Sequence, residues 1–377
     1  MNSSQALFPG GPQRWRAGGG AEVPAALPSV LAGLCLAGSA GNLLLLAVLA
    51  HELRRGKSGP ANALLLNLCS ADLLLALYCL PVRIATYSRG SWLLGGFLCR
   101  ATDWLLHACL VAKSLSWAAV GRARYNHVLS PSKCLAWGRA RLAGVLAALW
   151  TAALLLPLPL LLFTRLEAGA PGEPLDCVFQ TPPYASNFMD VFSKVYPLAA
   201  YLAPAGFTWA CYGRALRLQR ERKKRLAKPG HPSRKVTRML LCLSLLFQAM
   251  WLPEWVVWLW ERHAPLGDGP RPPPALLFLA EVLLFLNSAF NPGVFMAASE
   301  EFREGLRSVW GALDCRRAAE AAGGAAAREP PQSLRDLKGE AAEEKVLPDV
   351  EHFWKDRRNT AAGEESDPVP WEHQCDS

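Results

Sequence analysis

Residues 101–121 read ATDWLLHACLVAKSLSWAAVG, and residues 61–82 read ANALLLNLCSADLLLALYCLPV. Each run is long enough to cross the roughly 30 Å apolar core of a bilayer as a helix. Each also carries one charge near its middle, Lys113 in the first and Asp72 in the second. Lys113 lies 14 residues beyond Cys99, which at about 1.5 Å per helical residue places it roughly 21 Å deeper. An unpaired charge at that depth costs several kcal/mol, so an intramembrane lysine marks a functional position and demands a partner. Asp72 offers the opposite sign at similar depth, and the two are expected to pair. The lysine stem spans only about 6 Å against roughly 15 Å from mid-core to either interface, which disfavours snorkelling.

The rest of the chain repeats the apolar pattern. Of 377 residues 51% are hydrophobic and 19% charged, and the mean hydropathy is +0.13. Apolar runs recur near 24–50, 61–82, 101–121, 142–163, 195–216, 239–260 and 275–298. Seven such runs with short polar joints exclude a soluble all-α domain and predict an all-α fold, a seven-transmembrane helix bundle in which each helix satisfies its own backbone. The expected organisation is an N-terminal tail at 1–23, the bundle at 24–298, a short amphipathic membrane-surface helix at 299–315 and a disordered C-terminal tail at 316–377. No internal repeat of the kind found in many transporters interrupts it. Nor is there a metal-ligand cluster, phosphate loop or nucleophile motif that would point to an enzyme.

Basic residues set the orientation. The joints after the first, third and fifth runs hold about 19 Lys/Arg, including Arg54, Arg55, Lys57, Arg122, Arg124 and RERKKR at 220–225, more than twice the number on the other side. They belong in the cytosol, with the N-terminus outside the cell and the C-terminus inside. The net charge of +9 is therefore topological and gives little support to nucleic-acid binding. No signal-peptide core precedes the first run, which is expected to act as its own uncleaved targeting signal. Asn2-Ser3-Ser4 is a glycosylation sequon on the outer side. Of eleven cysteines, most read as small apolar residues. Cys99 and Cys177 lie on the oxidising side, where a bridge between them can form. Cys315 sits where a palmitoyl anchor is useful. In the acidic tail, LPDVEHFWKD at 347–356 and DPVPWEH at 367–373 each set a tryptophan among acids and read as docking segments.

One landmark per run carries a family resemblance. In order these are Gly41-Asn42, LNLCSADL with Asp72, Cys99 through Ala123-Arg124-Tyr125, Trp150, Pro204 with Tyr212, Phe247 with Trp251-Leu252-Pro253, and Asn291-Pro292-Gly293-Val294-Phe295. Together they resemble the rhodopsin-like, or class A, G-protein-coupled receptors over about 290 residues. Phe302 falls where that family starts its membrane-surface helix. The segments DWLLHACLVAKSL, LPEWVVWLWERH and SEEFREGLRSVWG are similar to galanin-receptor-like members of the family.

The resemblance implies a cell-membrane receptor that passes the signal of an extracellular ligand to a heterotrimeric G protein, with arrestin and tail-binding proteins as further partners. The residues themselves suggest a mid-membrane polar core of Asn42, Asp72, Lys113, Asn287, Ser288 and Asn291, and the resemblance implies a switch of Arg124, Tyr125, Tyr212, Phe247, Trp251, Pro253, Pro292 and Phe295. The prolines Pro204, Pro253 and Pro292 are expected to kink their helices. The outer half should take the ligand between Asp103, Trp104, His107, Glu254, Trp255 and Glu281, acids and aromatic faces that suit a basic or amidated peptide or a cationic small molecule. Trp258 and Trp260 are expected in the interfacial belt.

Departures from the family pattern matter as well. Galanin receptors carry histidines where Glu254-Trp255 stand, so galanin is not the expected ligand. Ala123 replaces the acid before Arg124, Ser233 the glutamate that pairs with it, Phe295 a tyrosine, and Ser132 the bulky residue after Pro131. These changes favour weak restraint of Arg124 and leave a weakly coupling membrane scaffold, acting through its tail, as the alternative. Lys113 stands where the family has a small hydroxyl residue beside a sodium ion, so no cofactor is expected and the ammonium is expected to replace that ion.

Overall fold

A computed structural model of the chain describes residues 7–9, 24–54, 60–130, 139–168, 175–225, 232–263 and 272–298, with positions 303, 306, 307, 310 and 311 beyond them. The sequon at Asn2, Cys315, the tail at 316–377 and most of the surface helix expected at 299–315 lie outside these residues. Helix α1 is Ala26–Arg54. Helix α2 is Pro60–Leu74, continued through a π turn at Leu75–Cys79 into Leu80–Arg89. Helix α3 is Gly95–Leu129, and α4 is Arg139–Leu155 followed after a break by Leu158–Phe163. Helix α5 is Ser186–Pro197, a π turn at Leu198–Leu202, and Ala203–Arg225. Helices α6 and α7 are Pro232–His263 and Pro274–Ala298.

Six of these helices are long and apolar enough to cross a membrane, covering Ala26–His51, Ala63–Arg89, Gly95–Leu129, Ala140–Phe163, Thr237–Arg262 and Pro274–Phe295. Helix α5 completes the bundle; its apolar stretch is divided by the π turn and runs into RERKKR. Many of its large apolar side chains point away from the bundle, as do Leu36 and Phe97, which are 73% and 80% exposed. A lipid-facing surface needs this arrangement, because no water surrounds it to be avoided.

Helix α3 is the axis. Its 35 residues span roughly 50 Å at about 1.5 Å each, more than a bilayer core needs. Ala108, Ala112 and Lys113 in its middle are all fully buried. Small residues let neighbours approach it: a Cβ placed on Gly121 would lie 3.5 Å from Cys211 Cβ and 3.6 Å from the Thr208 backbone of α5.

The irregular turns include one beside a proline that the sequence reading named, Pro204 in α5, and two that it did not. Helices α6 and α7 run unbroken through Pro253 and Pro292. The disruptions are the π turns before Leu80 and Ala203, whose amide N–H groups reach the Leu75 and Leu198 carbonyls, and the break in α4 at Leu156-Pro157. Pro81, Pro157 and Pro197 flank them. A π turn absorbs one extra residue where a proline has removed a donor, so the helix shifts register instead of stopping.

At the end carrying Cys99, a small antiparallel sheet caps the bundle, an element the all-α reading did not include. Strands β1 Leu7–Pro9, β2 Thr164–Ala168 and β3 Leu175–Gln180 lie in the order β1-β3-β2. Leu166 is opposite Cys177, and Phe8 is opposite Phe179. A disulfide joins Cys177 on β3 to Cys99 on α3, with the two Cα atoms 5.5 Å apart. The turn between α2 and α3 is bound to the same strand by the Trp92 amide, which donates to the Leu175 carbonyl at 2.9 Å. Gly90 ends α2 at φ 64°, a left-handed cap that favours glycine.

Helices α1 and α7 meet at a contact that only glycine allows. A Cβ at Gly41 would sit 2.9 Å from Pro292 Cβ and 3.0 Å from its Cγ, against a rigid ring. Gly41→Ala is therefore expected to destabilise the bundle by about 1–3 kcal/mol. Gly144→Ala, where nothing lies within 4 Å, is expected to be neutral or stabilising by a few tenths of a kcal/mol or more. Thermal unfolding of the two purified variants checks the difference; equal effects would show that the Gly41–Pro292 contact is not close.

Candidate functional site

The buried lysine organises the centre. Lys113 is fully buried, and its Nζ lies 2.5 Å from Asp72 Oδ1. The ammonium also donates to Asn287 Oδ1 at 2.6 Å and to Ser288 Oγ at 3.4 Å. The other carboxylate oxygen of Asp72 accepts from Asn291 Nδ2 at 2.9 Å. Asn42 Nδ2 donates to the Ser288 carbonyl at 2.9 Å and to the Gly38 carbonyl at 2.9 Å. All six expected polar-core residues thus meet in one network joining α1, α2, α3 and α7. Three ammonium hydrogens face three oxygens, the full complement needed when a charge leaves water.

The oxygens around Nζ are a donor set that a small monovalent cation would use. With the lysine present they do not fit a sodium ion as well, since a second positive charge would crowd one carboxylate. A separate triad, of which the sequence reading named only Trp150, ties α2, α3 and α4 together. Asn67 Nδ2 donates to Ser116 Oγ at 2.7 Å, and Trp150 Nε1 donates to Asn67 Oδ1 at 2.7 Å.

Towards the disulfide end lies an aromatic cluster. Trp255 is 3% exposed, with its ring 5.3 Å from Tyr196, 5.3 Å from Trp251 and 5.6 Å from Trp258. His107 Nδ1 is 3.0 Å from the Tyr196 hydroxyl. Trp258 is 8% exposed and faces this cluster, which corrects its expected place in the interfacial belt; Trp260 is 36% exposed. The guanidinium of Arg262 lies 4.5 Å from the Phe179 ring and 5.1 Å from the Trp258 ring, joining β3 to α6 through cation–π contacts. Trp104 turns towards α4, donating from Nε1 to the Leu154 carbonyl at 3.0 Å and packing near Phe179 and Met189.

The pocket acids have a basic neighbour that the sequence reading did not place there. Arg83, which the sequence reading did not single out, sits between two of them. Its Nη2 donates to Asp103 Oδ1 at 2.7 Å, and its Nε is 3.6 Å from Glu281 Oε1. Glu254 is also buried, at 6% exposure. The sequence signal was the position of Arg83 directly after the apolar run 61–82, in the last part of α2.

The aromatic cluster continues inward. Trp251 touches Tyr201 and Phe247 with ring centroids 5.5 Å and 5.7 Å away, and the Phe247 ring lies 5.4 Å from Lys113 Nζ. The Tyr201 hydroxyl donates to the Gln248 carbonyl at 2.7 Å, securing α5 to α6 beside its π turn.

At the opposite end Arg124 is fully buried and donates from Nε to Thr237 Oγ1 at 2.9 Å. Gln219 Nε2 also donates to that hydroxyl, at 3.2 Å. Thr237 lies one helical turn beyond Ser233, the position the sequence reading weighed, and supplies a neutral acceptor. Tyr212 is fully buried, and its hydroxyl makes no hydrogen bond among the described residues. Tyr125 stacks under Arg122 at 5.7 Å, and Phe295 is 3% exposed.

A lone buried charge costs more than a neutral pair, which sets an expectation for the central ion pair. Lys113→Met and Asp72→Asn should each lower stability by about 3 kcal/mol or more, and the double variant should recover part of the loss. Thermal unfolding in detergent measures all three. Additive losses would mean that the two charges do not stabilise one another.

Comparison with known proteins gives this geometry its family. Residues 41–295 match the profile described as 7 transmembrane receptor (rhodopsin family). The chain is 36% identical to human G-protein coupled receptor 151 over 92% of its own length and 89% of that protein, and 36% identical to the mouse protein over 92% and 88%. It is 33% identical to human galanin receptor type 2 over 78% of this chain and 76% of that one. The chain belongs to the rhodopsin family of seven-transmembrane receptors.

Proposed function

We propose that this chain is a plasma-membrane receptor that takes an extracellular ligand at the disulfide end and acts on a heterotrimeric G protein at the Arg124 end. The single observation that carries the reading is the unbroken aromatic column from Trp258 through Trp255, Trp251 and Phe247 to Lys113. A side chain displaced at the mouth presses on the next ring, because packed interiors transmit strain instead of absorbing it. Spans α5, α6 and α7 carry the movement. The acids Asp103, Glu254 and Glu281 beside large aromatic faces support a cationic ligand, either a basic or amidated peptide or a small amine. The basic joints support an extracellular N-terminus and a cytoplasmic C-terminus. Lys113, with the charge of a sodium ion on a covalent stem, replaces that ion.

The Arg124 end supports measurable activity without ligand. With Ala123 and Ser233 where the family has acids, the guanidinium loses the carboxylates of those two positions, worth about 1 kcal/mol of restraint. The purified chain is expected to accelerate nucleotide exchange on at least one purified G protein. Arg124→Ala should abolish that rate, and Ala123→Asp should reduce it several-fold at equal receptor concentration. Exchange indistinguishable from a receptor-free control across a panel of G proteins would favour the scaffold reading, in which the tail recruits partners. A rate raised by Ala123→Asp would overturn the restraint argument.

A further inference from the structure

Two charge clusters join the same three helices at different depths, with opposite polarity. In the deeper one the cation is on α3, at Lys113, with the acid on α2 and the amides on α7. In the one nearer the disulfide the cation is on α2, at Arg83, with its acids on α3 and α7, at Asp103 and Glu281. The two arms of the second cluster differ. The Asp103 arm is a direct hydrogen bond of 2.7 Å, and the Asp103 side chain is 28% exposed. The Glu281 arm is 3.6 Å long, and the Glu281 side chain is only 5% exposed. At that length it is a Coulombic contact and not a hydrogen bond. Arg83 Nη1 leans on the Tyr87 hydroxyl at 3.4 Å, its own neighbour one turn along α2.

We propose that Asp103 and Glu281 form a guanidinium site whose internal occupant is Arg83, and that an arginine side chain of the ligand exchanges with Arg83 at Glu281. The inference rests on the receptor reading above and names the group that its ligand must carry. Two carboxylates converge on one guanidinium, a planar fork whose several donors suit more than one acceptor. An ammonium, a compact point charge, matches that spacing less well. The longer arm is the one surrendered: the incoming guanidinium hydrogen-bonds to Glu281, while Arg83 keeps Asp103. Glu281 and Ser288 lie about two turns apart on α7, so the exchange acts on the helix that also holds the Lys113 network.

The test uses the full-length chain in lipid nanodiscs and three probes: the N-acetyl, N-methylamide derivatives of arginine, lysine and norleucine, at constant ionic strength. Thermal unfolding reads binding. The arginine probe should raise Tm by about 2 °C or more at 100 mM, with the lysine probe weaker by at least about threefold in half-maximal concentration and norleucine without effect. Glu281→Gln should lose the arginine response. Arg83→Lys, which keeps the charge and fold, should strengthen the response to the arginine probe, and Arg83→Met should do so further if it folds. No rise with arginine at 100 mM, equal rises with arginine and norleucine, an undiminished response in Glu281→Gln, or a weaker response in Arg83→Lys would each overturn the proposal. Nucleotide exchange is measured separately, so the site can fail while receptor activity stands, and the reverse.

Discussion

The ammonium of Lys113 is the constraint around which the bundle is arranged. Buried to 0% exposure, it demands a carboxylate and enough oxygen acceptors to replace water, and the cost of leaving any of them out runs to several kcal/mol. Meeting that demand fixes the depth of Asp72 on α2 and the rotation of Asn287, Ser288 and Asn291 on α7. It also fixes α1, through Asn42 and the Gly41–Pro292 contact. Apolar packing alone offers helices in lipid little preference for one rotation over another. The charge network supplies that preference.

The same economy explains the mouth. Arg83 lies where water is scarce, and two acids from α3 and α7 close on it. The aromatic column of α5 and α6 reaches Lys113 at Phe247 and Arg262 at Trp258, where it closes against β3, with buried Glu254 beside Trp255. One half of the molecule, α2, α3 and α7, is thus held by ions, and the other by rings. Ion pairs have discrete arrangements, whereas a ring stack can tilt by degrees. That difference suits α5 and α6 moving gradually, with α7 moving when its ion pairs change partners.

Much of this was legible from residues alone. Depth counted from Cys99 placed Lys113 opposite Asp72, because a helix converts sequence distance into depth with little error. The seven apolar runs gave the bundle, since lipid leaves helices few alternatives. Features that depend on how two helices meet were not legible. Arg83 stands near the end of an apolar run, where an arginine normally reads as snorkelling to the interface. Its burial depends on acids from two other helices. The α5 π turn lies beside Pro204, which the sequence marked, but the form of the break, an extra residue absorbed as at Pro81 in α2, is a compensation that the proline count does not reveal. Trp258 and Trp260 differ by two residues, and their opposite fates follow from the face of α6 that meets Tyr196.

The central claim is that a tethered ammonium has taken the place of a mobile cation. Unfolding temperature measured against sodium chloride, with choline chloride holding ionic strength constant, tests it directly when the chain is compared with Lys113→Ser. The unmodified chain should show no sodium dependence, and the serine variant, with Asp72 and Asn291 now facing an open oxygen set, should gain Tm as sodium rises. A sodium-dependent rise in the unmodified chain would contradict the account.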